Sequence, residues 1–415
     1  MQPACRGKQE IKMKNRNIKS KTALIFLAVF IVSFFSAVPF LVHATALGDL
    51  AASMVSGEWR VLTTSNLSNY FIKVYWSPEA GSAPDSLLGY GDEAQWDPIS
   101  KQLFIGGGSH NYNGRIIAYS ADNNSWRVIS ALDYSPYWSA VNPIPGGTGI
   151  HGYNRTGISA SRRQFYYMNG YNPAYIQVYN IDNNTWGSPF GPAPGGTYEN
   201  ANAEYFPELD SIIMPQGSSG GNNILREYNL STGIWSSNGS VTTGAVHDRA
   251  VYNPVKAEVI MGGGQNDPIA WQHIYKLSNN NVLSQMADAP MSIGAEKAFF
   301  TPDPVAGKYL VFDRTSEYVG TWWTYDSTTD VWTLVQTCSD KTTGACVLLA
   351  NMPTEDTGRT TGCVTAAISN YGVTMFVCTG PTYYMAEGSG RVLIYKHATT
   401  SDTTPPSAPT GLTIG

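Results

Sequence analysis

The feature that most constrains the fold is a hairpin pattern that recurs along the chain. A Tyr and a Trp stand seven positions apart, with Asn, Asp, Ser, Thr and Gly between them. The pairs are Tyr119 and Trp126, Tyr179 and Trp186, Tyr228 and Trp235, Tyr325 and Trp332, and Tyr275 with Val282 in place of Trp. Apolar runs on both sides of polar turn residues predict antiparallel strands joined by a turn. Their repetition indicates an array of similar units.

A second hairpin precedes each Tyr, in which an apolar strand leads through a polar or Pro-containing turn into another apolar strand. The turns are placed at Asp97-Pro98, Phe206-Pro207, Asn253-Pro254 and Thr301-Pro302. Four strands per unit, at intervals of 47 to 70 residues between the Tyr positions, predict an all-β propeller over residues 47–398.

The predicted number of blades is six, with the two ends of the chain sharing one blade. Tyr395 has no Trp after it, and the segment around Trp59 is the predicted missing outer strand. Such closure removes an exposed sheet edge. Seven blades stay an alternative, because residues 63–90 have room for further strands.

The repeat resembles the kelch motif, including that of the galactose oxidase central domain. An apolar strand, a Gly pair and the Tyr–Trp hairpin carry this resemblance, with Gly106-Gly107 and Gly262-Gly263 the best matches. Galactose oxidase has a copper site of two His and two Tyr, one Tyr cross-linked to Cys. The His residues here fall in different units and the cysteines are assigned to disulfides, so we expect no copper, other metal or cofactor.

The two ends of the chain differ from the repeat. Residues 1–46 combine a basic segment, an uncharged and mostly apolar run over 22–42, and small-x-small sites ending at Ala44 and Ala46. This pattern predicts a signal peptide, with a retained membrane tether as the alternative. Residues 399–415 are rich in Pro and Thr and resemble the start of a fibronectin type III domain after a linker. We expect a secreted or extracytoplasmic monomer within a longer multidomain protein.

Charge and cysteines agree with export. Without residues 1–46 the chain has 19 basic and 30 acidic residues, which argues against nucleic acid as a partner. Four cysteines remain, an even count that suggests disulfides in an oxidising compartment. A hairpin centred on Asn370-Tyr371 places Cys363 opposite Cys378, which leaves Cys338 to pair with Cys346.

The longest connections are predicted on one face of the propeller, and we expect function there because insertions are tolerated where loops carry a site. A ring of polar side chains precedes the inner strands at this face, and aromatic side chains suited to sugar rings lie in the loops. The candidate ligand residues are His247, Asp248, Arg249, Glu296, Lys297, Arg155, Asp92, Glu93, Arg359, Trp138, Trp271 and Tyr383. The alternative is that these charges pair between blades and hold the ring together.

No complete catalytic motif is present, and catalytic residues stay unassigned. The sequence therefore favours a binding module for a glycan or an extracellular protein. The alternative is a carbohydrate-active lyase, hydrolase or epimerase that uses the carboxylates at the channel mouth, since fold alone cannot separate the two.

Overall fold

The structure is a computed structural model, and it describes residues 45–67, 88, 91, 93–107, 115–131, 155–168, 175–194, 202–216, 224–242, 246–265, 270–295, 297–316, 318–352, 360, 362–380 and 390–398. Six four-stranded antiparallel sheets form a six-bladed β-propeller. The prediction of an all-β propeller with six blades is confirmed. Within the described part of the chain, no helix has the length and apolar character needed to cross a membrane.

The first three blades follow one another along the chain. Blade one has strands β2 (Gln95–Asp97), β3 (Gln102–Gly107), β4 (Arg115–Ser120) and β5 (Ser125–Ala131). Blade two has β6 (Thr156–Ser159), β7 (Gln164–Met168), β8 (Ile176–Asn180) and β9 (Thr185–Trp186). Blade three has β10 (Glu204–Phe206), β11 (Ser211–Gln216), β12 (Ile224–Asn229) and β13 (Ile234–Ser240), with a 3₁₀ helix at Pro207–Leu209.

The remaining blades repeat the same order from the inner strand outward. Blade four has β14 (Val246–Asn253), β15 (Glu258–Gln265), β16 (Ile274–Ser278) and β17 (Leu283–Gln285), with a 3₁₀ helix at Ala270–Gln272. Blade five has β18 (Ala298–Pro302), β19 (Tyr309–Arg314), β20 (Gly320–Asp326) and β21 (Val331–Cys338), followed by a 3₁₀ helix at Gly344–Asn351. Blade six has β22 (Cys363–Ile368), β23 (Val373–Cys378) and β24 (Arg391–Lys396), and its outer strand is β1 (Trp59–Val61).

The N-terminal strand closes the ring as predicted. Trp59 pairs with Tyr395 across the β1–β24 ladder, and the two rings lie 5.0 Å apart between centroids. Helix α1 (Ala46–Ser53) precedes β1. The Thr45 hydroxyl caps this helix by accepting the Gly48 N–H, and it also lies 3.1 Å from the Tyr371 hydroxyl of blade six. The start of the described chain is therefore held against the last blade.

The Tyr–Trp repeat is the pairing of the third and fourth strands of a blade. Tyr119 faces Trp126 and Tyr325 faces Trp332, with ring centroids 5.2 and 4.6 Å apart. Blade four departs from the prediction that Val282 replaces the Trp. Tyr275 faces Gln285, and Val282 is 56% exposed at the end of a longer turn. Tyr275 and Gln285 are ten positions apart rather than seven, and these three extra residues shift the strand register and remove Val282 from the core.

The turns between the first and second strands share one backbone conformation. Their last residue has positive φ in all six blades, at Lys101, Arg163, Asp210, Ala257, Gly307 and Gly372. In blade five the turn begins after Asp303, which accepts the backbone N–H groups of Val305 and Ala306. Asn253 accepts the equivalent groups in blade four. The prediction of a blade-five turn at Pro302 was therefore wrong by two residues.

Close packing of the backbone explains why blade four has Gly at both positions 262 and 263. Gly262 and Gly263 both have positive φ, at 156° and 75°. A Cβ on Gly262 would lie 2.1 Å from the His273 carbonyl oxygen, and one on Gly263 would lie 2.6 Å from the Gly294 nitrogen. The second strand therefore has close backbone neighbours that exclude any side chain here.

Both predicted disulfides are present. Cys363 and Cys378 face each other across β22 and β23, with Cα atoms 4.1 Å apart. Cys338 at the end of β21 is bonded to Cys346 in the 3₁₀ helix. Two disulfides are typical of proteins from oxidising compartments.

Candidate functional site

The propeller has two chemically different faces. The turn face holds the short hairpin turns after the first strand of every blade and after the third strand of blades one to five, together with helix α1 beside Tyr371. The stretches between second and third strands, and those between blades, start and end at the loop face. The longest stretches between consecutive blades are 62–94, 132–155, 187–203 and 339–362, and the described strands on either side of each one meet it at the loop face. The strand order therefore agrees with the side on which the sequence places its insertions.

Three predicted ligand residues of the loop face are buried in the ring itself. Arg155, Asp248 and Arg249 have 0%, 1% and 2% of their surface exposed. An Nη of Arg249 donates to the backbone carbonyls of Gly294 and Ala298, at 3.2 and 2.6 Å, where the chain enters blade five. The guanidinium also lies 5.9 Å from the Phe300 ring centroid. These contacts give Arg249 a role in joining blades four and five.

Asp248 also joins two blades. Its carboxylate accepts a hydrogen bond of 2.9 Å from the Asn202 amide, between blades three and four. Both side chains are buried. The alternative interpretation of the polar ring, in which its members hold neighbouring blades together, therefore describes Asp248 and Arg249. A ligand role for them stays a prediction.

Trp271, Lys297 and His247 are the predicted loop-face residues that are half-buried rather than buried. The Lys297 ammonium lies 5.5 Å from the Trp271 ring centroid, which is a cation–π contact. Burial raises the pKa of the nearby Asp313 carboxyl to about 6, against the opposing effects of Thr315 and Lys297. His247 adopts a positive φ of 63°. Blades four and five thus present an aromatic ring, a cation and an imidazole on the same face.

Five predicted ligand residues lie outside the described residues: Asp92, Glu296, Arg359, Trp138 and Tyr383. Their roles stay predictions. Part of the connection between blades five and six is buried, because Val347, Leu348 and Leu349 of the 3₁₀ helix Gly344–Asn351 have almost no exposed surface. Among the described residues, no group of three or more His, Cys, Asp or Glu side chains could hold a metal.

The central channel contains a pocket of about 180 Å³ that the inner strands of all six blades line. Its rim is the first residue of five hairpin turns, so it opens on the turn face. The lining residues are Glu93, Ala94, Gln95, Trp96, Pro98, Ile158, Ala160, Glu204, Pro207, Tyr252, Pro254, Pro302, Ala367 and Ser369. Glu93 is the one predicted ligand residue in this set, and it is 9% exposed. The walls are apolar and aromatic, with carboxyl and amide groups among them.

The carboxyl of Glu204 has a raised pKa in the channel. Burial raises the pKa of its carboxyl to about 8, although hydrogen bonds from the Gln95 side chain and from the backbone of Tyr205 and Tyr252 act in the opposite direction. The Gln95 amide donates to Glu204 at 3.4 Å and to the Thr156 carbonyl at 3.1 Å. Glu204 is therefore mostly protonated at neutral pH, and Gln95 bridges three blades inside the channel.

The sequence reasoning missed Glu204, Gln95 and Tyr252. The candidate ligand residues chosen from the sequence include none from blade three, so Glu204 at the start of β10 was not selected. A usable signal was present in Ala203-Glu204-Tyr205-Phe206, where one acid stands in an otherwise apolar strand. A carboxyl at such a position is buried on either face of the strand.

No family model and no curated protein matches the sequence. The fold is similar to that of a structural-genomics protein of unknown function from Bacteroides thetaiotaomicron, with 10% identity, 81% of this chain and 75% of that chain covered, and a TM-score of 0.47. It is also similar to a chain of the Mitotic Checkpoint Complex, with 10% identity, coverage of 81% and 98%, and a TM-score of 0.44. These similarities are too remote to indicate a family or a function.

Proposed function

We propose that this chain is an exported binding propeller of the kelch type that presents a carbohydrate site on its loop face. The observation that carries the proposal is the difference between the two faces. The hairpin connections on the turn face are all short, and helix α1 is the other described element there, whereas the long stretches between strands start and end at the loop face. A rigid frame with one face of long loops is the usual arrangement for a recognition surface.

The described loop-face residues support a sugar as the ligand class. Trp271 offers an aromatic surface, and Lys297 and His247 offer polar contacts beside it. Aromatic rings cover the C–H faces of sugars while polar groups reach their hydroxyls. The buried Asp248 and Arg249 stabilise the frame below these residues.

Export is supported by the two disulfides and by the N-terminal segment. Cleavage after Ala44 would leave Thr45 in place as the cap of helix α1, whereas cleavage after Ala46 would remove it. Loss of a Thr cap costs about 1 kcal/mol of helix stability. We expect the exported chain to start at Thr45, which N-terminal sequencing tests; an intact residue 1 would favour the membrane tether instead.

A glycan-array screen with the full chain tests the proposed ligand class. We expect at least one glycan to bind, and Trp271→Ala to lose that binding. Ile99→Ala is the matched control, because Ile99 is 60% exposed on the turn face. An array without any hit would contradict the carbohydrate ligand.

Product analysis on each bound glycan separates a binding module from the enzyme alternative. We expect the glycan to be recovered unchanged after prolonged incubation, by mass spectrometry. A hydrolysed, eliminated or epimerised product would overturn the binding module and identify the chain as a carbohydrate-active enzyme.

A further inference from the structure

The outer edge of blade one is covered by a short segment of the chain that follows β1. Ser65 pairs in parallel with the edge strand β5: its N–H donates to the Asn124 carbonyl at 3.0 Å, and its carbonyl accepts the Trp126 N–H at 3.1 Å. The Trp126 indole N–H donates to the Thr64 hydroxyl at 3.0 Å. Both N–H groups that Trp126 presents at this edge are therefore bonded to the segment.

Blade five has the same arrangement of Tyr, Trp and bulge in its outer hairpin. Tyr325 faces Trp332 across the β20–β21 ladder, as the Tyr–Trp pair of blade one does across β4 and β5. In both blades the register shifts at the third residue after the Trp, which is Val335 in blade five. By equivalence with Trp126, the backbone N–H of Trp332 is therefore on the open side of β21.

The outer edge of blade five is uncovered among the described residues. β21 is the last strand of its sheet, and within the described part of the chain no backbone hydrogen bond reaches it from outside that sheet. The Trp332 indole nitrogen is buried and has no hydrogen-bond partner there. Val331 and Leu334 are 50% and 47% exposed. The residues 331–334 include no charged residue and no Pro, which are the residue types that usually protect an edge from pairing.

Blades two and three share the unpartnered indole but not the apolar edge. The indole nitrogens of Trp186 and Trp235 are buried without a hydrogen-bond partner among the described residues. However, β9 of blade two has only two residues, and in β13 the Trp is followed by Ser236, Ser237 and Asn238. Water can solvate such a short or polar edge, whereas the exposed apolar side chains of β21 gain from being covered. Blade five is therefore the edge at which a covering segment stabilises the protein most.

The described chain ends beside blade five. Tyr395 of β24 packs against Trp322 of β20, with ring centroids 5.7 Å apart. The Nδ1 atom of His397 lies 3.0 Å from the Asp303 carboxylate, at the first turn of blade five. β24 ends at the turn face, which is also where β21 begins. The residues that follow therefore start about 10 Å, one sheet spacing, from blade five, a distance that about three or four extended residues cross.

We propose that residues 401–405 add to β21 as a fifth, parallel strand and cover the outer edge of blade five. A segment that leaves β24 at the turn face and follows β21 runs in the same direction as β21, as the segment on blade one does along β5. Thr403 takes the place that Ser65 has on blade one. Asp402 then stands where the acceptor of the Trp332 indole N–H is required, and a carboxylate is a strong acceptor.

The tail 399–415 has the composition of an added edge strand. Thr occupies positions 399, 400, 403 and 404, and Thr favours extended pairing. Pro405 and Pro406 follow; they have no N–H to donate, so they end the pairing and protect the new edge. Because the tail is tethered to blade six, its effective concentration at β21 is on the order of millimolar, which favours it over a strand from another molecule. The chain after Pro406 then leaves along the outer wall of blade five.

Hydrogen exchange of the full chain, measured by mass spectrometry, tests this proposal. We expect the Trp332 amide to exchange at least about tenfold more slowly in wild type than in the double variant Asp402→Pro with Thr403→Pro. Only alternate residues of an added strand face the edge, so one of two consecutive prolines removes a donor in either register. Thr410→Pro, which lies beyond the pairing segment, is the matched control and should exchange as wild type does. The Trp126 amide should stay protected in all three proteins, which shows that the propeller is intact.

Three results would overturn the proposal. Fast exchange of the Trp332 amide in all three proteins would show that the edge is open. Slow exchange that persists in the double variant would assign the edge to a different segment. Slow exchange that is lost on dilution of the wild-type protein would assign it to a second copy of the chain. None of these measurements involves the loop face, so their outcome is independent of the carbohydrate proposal.

Discussion

Replacement of Glu204 by Gln should change how the stability of the protein depends on pH. The ordinary pKa of this carboxyl is 4.5, and burial raises it to about 8 in the folded protein. The folded state then holds a proton that the unfolded state has lost. The free energy of unfolding is therefore highest below about pH 4.5 and falls as pH rises to about 8. The slope is about 1.4 kcal/mol per pH unit for one group.

Between pH 4.5 and about 8 the wild-type protein therefore loses on the order of 5 kcal/mol of unfolding free energy. Gln resembles the protonated acid in shape and cannot ionise. The free energy of unfolding of the variant should therefore not fall with pH on account of this position. At pH 5 we expect the variant to be within about 1 kcal/mol of wild type, because one hydrogen bond is altered. At pH 9 we expect it to be more stable than wild type by several kcal/mol.

Urea unfolding at pH 5, 7 and 9, followed by tryptophan fluorescence, measures these differences. The raised pKa of Asp313 contributes in the same direction below about pH 6, but it is common to both proteins and cancels in their difference. Glu208→Gln is the matched control and should keep the wild-type slope. If Glu204→Gln and wild type lose stability in parallel between pH 5 and 8, the protonated carboxyl in the channel is refuted.

Three further substitutions test the contacts that hold the propeller together, each by equilibrium unfolding at pH 7. Arg249→Ala should lower the free energy of unfolding by about 1–3 kcal/mol, because two buried carbonyls lose a donor; unchanged stability would contradict its role between blades. Cys363→Ser with Cys378→Ser should cost about 3 kcal/mol, the value for a loop of 15 residues, and an unaffected protein would show that the disulfide is dispensable. Trp59→Ala should cost about 3–5 kcal/mol because the ring is 4% exposed, whereas a loss below 1 kcal/mol would contradict closure of the ring by β1.

The fold could be predicted because its signal is local and repeated. A Tyr–Trp hairpin spans only a few consecutive residues, so the spacing of Tyr and Trp across the turn predicts which residues pair. The pairing of Cys363 with Cys378 and of Trp59 with blade six followed from the same register and the need to close the ring. Where turn length varied, as before Val282 and after Pro302, counting positions gave the wrong register.

The channel could not be predicted in the same way, because its contacts join distant parts of the chain. Gln95 and Glu204 are 109 residues apart and meet only when blades one and three surround the same channel. The raised pKa of Glu204 comes from burial, which a sequence count of charges does not measure. The same charge criterion selected Arg249, whose guanidinium is turned to the backbone of the next blade.

The affinity for a glycan found on the array, measured for wild type, Trp271→Ala and Glu204→Gln, tests most directly the claim that the loop face is the recognition surface. We predict that Trp271→Ala binds the glycan at least about tenfold more weakly and that Glu204→Gln stays within about twofold of wild type. The opposite pattern, with glycan binding lost in Glu204→Gln and kept in Trp271→Ala, would place the glycan in the channel and contradict the account.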